Sequence, residues 1–194
     1  METPSPSTEA APRVVARRTI HKGRKFDFEL LTVRQRGADT VRENVRHPGA
    51  VVVVPILDDG RVVLIRNHRV SVGERLWECC AGTMEPPEPP EACAARELVE
   101  ETGYRAATVT PVGWFYTTPG LTDERMHAFV ALGLSHVGQD LEDDESIEVV
   151  ALPVERALAM IDSGELRDAK SIVALLLAER AGLLRPGIKT AANR

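Results

Sequence analysis

The stretch AVVVVPILDDGRVVLIRNHR, residues 50–69, constrains this chain most. Two runs rich in β-branched residues flank Asp58-Asp59-Gly60. Such side chains lose rotamer freedom in a helix and pack well on a pleated sheet, and Asp-Gly favours a tight turn. A buried hairpin is expected here. Further strand patterns run through Lys25–Arg36, with Phe26, Phe28, Leu30, Leu31 and Val33 in imperfect alternation, and through Val112–Tyr116 and Met126–Leu134. Pro153 is placed to open a helix with Val154, Leu158 and Ile161 at helical spacing. A last helix is expected from about Lys170 to Ala181, with Ile172, Leu175 and Leu176 on one face and Gly182 as its stop. Strands outnumber helices and the long helices come late or alone, which predicts an α+β domain.

The net charge of −5 argues against electrostatic binding to nucleic acid or to an anionic membrane. The longest apolar runs, around Ala50–Leu57 and Ile172–Ala178, fall short of the ~18 residues of a membrane span. The start, METPSPSTEAAP, lacks the basic and apolar regions of a signal peptide. A disordered tail over 1–12, a strand region over 13–48, a main domain over 49–184 and a tail over 185–194 are expected, in a soluble cytoplasmic protein. Cys79, Cys80 and Cys93 have no second Cys/His pair at zinc spacing, so they read as buried free thiols in a reducing compartment.

The segment EACAARELVEET consists of good helix formers, with Gly103 placed to end it. At about 100° per residue, Glu97, Glu100 and Glu101 share one arc. The opposite arc holds Ala92, Ala95, Leu98 and Val99, the face expected to pack on a sheet. Like charges at i,i+4, as in Glu97 and Glu101, cost a few tenths of a kcal/mol, and a divalent cation between them reverses that sign. Taken alone, the motif favours the bland reading, a solvated acidic face.

Its context decides. Gly82, Glu88, Arg96, Glu97, Leu98, Glu100, Glu101 and Gly103 fit G-x5-E-x7-R-E-U-x-E-E-x-G-U, where U is aliphatic. Seven such identities, each at about 7% background, coincide at a given start with odds on the order of 10⁻⁸. The stretch closely resembles the Nudix box, departing from it only in Tyr104 at the final aliphatic position. The resemblance implies a mixed β-sheet sandwiched between helices, with an N-terminal antiparallel strand extension. It also implies Mg²⁺, with Mn²⁺ as a substitute, held by Glu97, Glu101 and the backbone carbonyl of Ala81. Glu100 assists, Arg96 orients Glu100, and Glu88 shapes the loop.

VGWFYTTPGLTDERMHAFVA, with Pro119 sixteen residues after Gly103, is similar to the ADP-ribose pyrophosphatase branch. Asn67-His68 and Cys79-Cys80 depart from that branch's usual residues. The branch implies hydrolysis of ADP-ribose to AMP and ribose 5-phosphate by a homodimer acting on a small nucleotide sugar. Arg69, and less directly Arg46, match arginines that meet substrate phosphates; the bland alternative for Arg69 is an exposed charge at a strand end. Phe26 and Phe28 fit either an adenine contact or core, while Pro119 and Gly120 belong to the matched substrate loop. Trp77, Trp114 and Tyr116 read as core or interface. Glu145 sits where the branch places the catalytic base, with Glu142, Asp143 and Asp144 as rivals in the same acidic loop. Two rival functions stay open: hydrolysis of another nucleoside-diphosphate sugar such as GDP-mannose, and a catalytically silent nucleotide sensor.

Overall fold

A computed structural model describes residues 11–141 and 146–184. The chain divides into two compact units, one reaching to His47 and including Thr118–Glu124, the other comprising Pro48–Thr117 and the chain from Arg125 onward.

The first unit is an antiparallel sheet of β1 (Arg13–Lys22), β2 (Asp27–Gln35) and β3 (Ala38–Arg46), in that order. The turn between β2 and β3 puts Arg36 and Gly37 at positive φ, so both chain directions reverse within two residues. Thr118–Glu124 is stitched onto the end of β3. The Val45 N–H donates to the Leu121 carbonyl at 2.9 Å, and the Asp123 carboxylate accepts from the His47 N–H at 2.8 Å.

The second unit holds two sheets. Its strands are β4 (Ala50–Pro55), β5 (Arg61–Arg69), β6 (Glu74–Glu78), β7 (Cys80–Thr83), β8 (Tyr104–Tyr116), β9 (Arg125–His136) and β10 (Ile147–Pro153). Its helices are α1 (Pro90–Thr102), α2 (Val154–Asp162) and α3 (Ala169–Arg180). One sheet has the order β7-β4-β9-β8 and is mixed, because β4 runs parallel to β9 and antiparallel to β7. The other has the order β10-β5-β6. Val51 and Val53 of β4, with Phe129 and Ala131 of β9, pack against Cys93, Ala94 and Leu98 of α1. Val52, Val54, Ala128 and Val130 point the other way, onto Ala174, Leu175 and Ala178 of α3. Alternate residues of one buried strand thus serve two helix layers. The fold is α+β, as expected.

The hairpin expectation requires correction. The turn forms, with the Leu57 N–H donating to the Arg61 carbonyl at 2.8 Å and Gly60 at φ 84°. The two runs nevertheless enter different sheets and meet at one bridge, Ile56 to Val62. A strand has two hydrogen-bonding edges, and β7 and β9 occupy both edges of β4.

Two helix faces also differ from expectation. In α3, Leu176 is exposed, and the packed arc is Ser171, Ala174, Leu175 and Ala178. In α1, Ala92 and Ala95 are exposed, and the packed face is Cys93, Ala94, Leu98, Glu101 and Thr102. The three cysteines are buried and free, with burial pushing the thiols of Cys79 and Cys93 up to about 12. Trp114 and Tyr116 are exposed rather than core, in edge-to-face contact with the Arg125 guanidinium over both rings. Trp77 is half-buried beneath Arg66. Among the described residues, no helix is long and apolar enough to cross a membrane.

Candidate active site

Pro89 and Pro90 start α1, since proline is tolerated where the first N–H groups have no helical acceptor. Gly103 ends it in the left-handed region at φ 73°. A side chain at Gly103 would also meet the backbone of Gly138 and Gln139 at 2.9 Å. That close approach lets the Asp140 N–H bond the Glu100 carbonyl at 3.1 Å and Gln139 Nε2 bond the Glu101 carbonyl at 2.7 Å. The carbonyls at the helix end are satisfied, and the glutamate turn is held from behind.

Glu97 and Glu101 lie towards the sheet. Glu101 is 4% exposed, and its Oε2 accepts the Ala81 N–H at 2.8 Å. A Cβ on Gly82 would stand 1.8 Å from the Glu97 Cδ, so the absence of a side chain there is what seats the Glu97 carboxylate. Both contacts come from β7, the strand running into the loop before α1. This explains the misassigned helix face: apolar periodicity looks for carbon, whereas here the sheet offers an N–H and a gap.

Arg96 gathers the remaining carboxylates. Its Nε and Nη2 bond the two oxygens of Glu88 at 3.0 and 3.1 Å, and Nη1 bonds Glu97 at 2.8 Å and Glu100 at 2.7 Å. The Glu100 bond is the i,i+4 contact expected from the sequence. Glu88 also accepts the Glu85 N–H at 3.3 Å and so closes the preceding loop. The Arg96 bonds hold the Glu88 carboxyl below its ordinary value, and the same bonds, with the charge of Glu97, raise Arg96 against its burial.

Arg69, at the end of β5, is not a loose strand-end charge. Its Nε and Nη2 form a fork onto the buried Glu78 carboxylate at 2.7 and 2.6 Å. Those bonds raise the Arg69 pKa, burial opposes them, and the charges of Glu78 and Glu101 add to the rise. Arg69 is therefore within electrostatic reach of the glutamate helix. Glu78 was not picked out from the sequence. The available signal was a lone charge in the apolar run LWECC.

Phe28, Arg46, Pro119 and Gly120 belong to the first unit. Phe28 is half-buried on β2 opposite Val45, and Phe26 is exposed. Arg46 is exposed, with Nη1 3.7 Å from the buried Glu29, which also accepts from Arg17 at 3.0 Å. Pro119 and Gly120 are exposed in the turn closed by the Leu121 N–H on the Thr118 carbonyl at 2.9 Å, on the segment stitched to β3 beside Arg46. Glu145 and its rivals Glu142, Asp143 and Asp144 lie outside the described residues.

Among the described residues, no three His, Cys, Asp or Glu side chains form a ready-made metal cage. The donors present still fit Mg²⁺ or Mn²⁺. Glu97, Glu100 and Glu101 offer hard oxygens from one helix turn, and Mg²⁺ typically takes few carboxylates and keeps its other positions for water and phosphate.

The family model for the NUDIX domain matches residues 46–175. The chain is 37% identical over 166 residues to an ADP-ribose pyrophosphatase of Bacillus subtilis (strain 168), covering 84% of this chain and 90% of that protein. It is 34% identical over 178 residues to a GDP-mannose pyrophosphatase of Citrobacter koseri (strain ATCC BAA-895 / CDC 4225-83 / SGSC4696), covering 81% and 92%. The crystal structure of an ADP compounds hydrolase shares the fold with a TM-score of 0.78 at 24% identity, covering 90% of this chain and 96% of that one.

Proposed function

The chain belongs to the Nudix family as a pyrophosphohydrolase, and from that premise we propose that it hydrolyses nucleoside-diphosphate sugars, with ADP-ribose as substrate and AMP and ribose 5-phosphate as products. One observation carries the reading: β7 seats Glu97 in the gap at Gly82 and holds Glu101 on the Ala81 N–H, while Arg96 orients Glu97 and Glu100. A solvated acidic face has no need of such fixing. Similarity to the B. subtilis ADP-ribose pyrophosphatase supports the substrate.

Glu97, Glu101 and the Ala81 carbonyl are the groups proposed to hold Mg²⁺, with Mn²⁺ as a substitute. When bound, the cation supplies charge compensation at a pyrophosphate and acidifies water. Arg69 holds the phosphates through the guanidinium edge that Glu78 leaves over. Arg46, Phe28, Pro119 and Gly120 are proposed substrate contacts. Glu145 is the proposed base, taking the proton from the water that attacks phosphorus as the bridging P–O bond breaks. A cytoplasmic homodimer completes the proposal; light scattering at micromolar concentrations showing a monomer would remove the dimer.

Hydrolysis of GDP-mannose is the second reading, favoured by the likeness to the C. koseri enzyme. A panel of nucleotide sugars with Mg²⁺, coupled to alkaline phosphatase, tests both, because only the monoester products release phosphate. ADP-ribose is expected to give the highest kcat/KM. Preference for GDP-mannose selects the second reading, and no release from any sugar would point to a silent sensor.

A further inference from the structure

We propose that Lys170 is a positioning residue for Arg69: by sharing the buried Glu78 carboxylate, it keeps the Arg69 guanidinium aimed, and its charge available, for a substrate phosphate. The proposal rests on the reading above that Arg69 binds phosphate.

The geometry is specific. Glu78 is buried at the end of β6, and its Oε2 accepts from both Arg69 Nη2 and Lys170 Nζ. A guanidinium held through Nε and Nη2 turns Nη1 to the opposite side. Lys170 arrives from the first turn of α3 and is itself fixed by Asp168 at 2.9 Å. Asp168 caps that helix by accepting the Ser171 N–H at 3.0 Å, and the Ser171 hydroxyl accepts the Cys79 N–H at 2.7 Å. Cys79 is the crossover between β6 and β7, so α3 grips the point where the chain passes from Glu78 to Ala81 and Gly82. One anchor thereby serves both Arg69 and the glutamates.

The charges show what Lys170 adds. Arg69 and Lys170 stand against Glu78 and Asp168, two positive charges against two negative. Without Lys170 the group is net negative, and Glu78 alone answers the whole of the Arg69 charge. An anion approaching Nη1 then meets repulsion where it met balance. Because phosphate charge is present in both ground and transition states, the loss falls on binding.

Steady-state kinetics on ADP-ribose with Mg²⁺ tests this, using Lys170→Met, Lys170→Arg, Arg69→Ala and the Lys170→Met/Arg69→Ala double variant. Lys170→Met is expected to raise KM roughly tenfold, about the effect of one partly screened charge, with kcat within about threefold. Lys170→Arg should return KM to within about threefold of the native value. The double variant should be no worse than Arg69→Ala, since the lysine acts through the arginine. If Arg69→Ala raises KM while Lys170→Met leaves it unchanged, or if the two effects multiply, the lysine role is overturned and the phosphate reading of Arg69 stands. If Arg69→Ala itself leaves KM unchanged, that reading fails and takes this one with it. Lys170→Gln, which still donates to Glu78, replaces Lys170→Met if the latter does not fold, and carries the same expected rise.

Discussion

Around Arg96, one guanidinium is shared by three carboxylates; around Glu78, one carboxylate is shared by two cations. Both networks sit on the short β6–β7 crossover and its neighbours, but they are balanced differently. Among the described residues, the Arg96 pairs set three carboxylates against one guanidinium, whereas the Glu78 network closes to neutrality once Asp168 is included. A buried or half-buried group of unequal charges is costly unless a further partner answers it. The acidic network suits the cation proposed above, and the balanced one presents the Arg69 edge proposed for phosphate. A magnesium-bound pyrophosphate carries both complements.

The largest expected effect comes from outside both networks. Glu145→Gln keeps the size of the proposed base but removes its ability to take a proton, so kcat should fall by roughly 10²–10⁴-fold with the Mg²⁺ requirement unchanged. Near-native turnover, combined with collapse of the amide variant of Glu142, Asp143 or Asp144, would move the base along the loop.

Glu101→Gln removes the buried carboxylate that stands beside the acidic network on the same helix turn. The amide oxygen still accepts the Ala81 N–H, so the fold should survive while turnover falls by more than roughly 10²-fold. Early melting with an unchanged metal requirement would make the buried glutamate structural, and the contrast between the two networks would lose its meaning.

Gly82→Ala sharpens the same point without touching a charge. Its methyl group would occupy the seat of the Glu97 carboxylate, and displacement is expected to cost about 1–3 kcal/mol and to raise the Mg²⁺ concentration needed for half-maximal rate. Titration of the rate with Mg²⁺ decides this; an unaltered midpoint would show that the seat is not required.

The smallest effect belongs to the balanced network and appears in acid. Burial pushes Glu78 up, but the Arg69 bonds and the Lys170 charge outweigh burial and hold it below its ordinary 4.5. The unfolded chain therefore takes up that proton first as pH falls. The stabilisation is complete above about pH 4.5 and is lost as pH drops through the depressed folded value. Thermal melts should lose Tm below that pH, and less steeply in Glu78→Gln. Equal slopes would remove Glu78 as a contributor.

What the sequence by itself determined was local. Arg96 and Glu100 are four residues apart on one helix, so their bond follows from helical geometry, and the Gly103 stop follows from glycine's access to the left-handed region. The β-branched runs likewise specified buried strands, because residue type and alternation are sufficient for that. Which sheet each run joins was decided by competition for strand edges, and residues 50–69 contain no information about β7 or β9. Burial of Glu101 also had to wait for the fold, since the N–H and the gap that receive it belong to another strand. The Glu78 network is the extreme case: Lys170 and Ser171 meet Glu78 and Cys79 across 92 positions of chain. Only packing of α3 onto the crossover brings them together, because a charge pair at that separation has no periodicity to announce it.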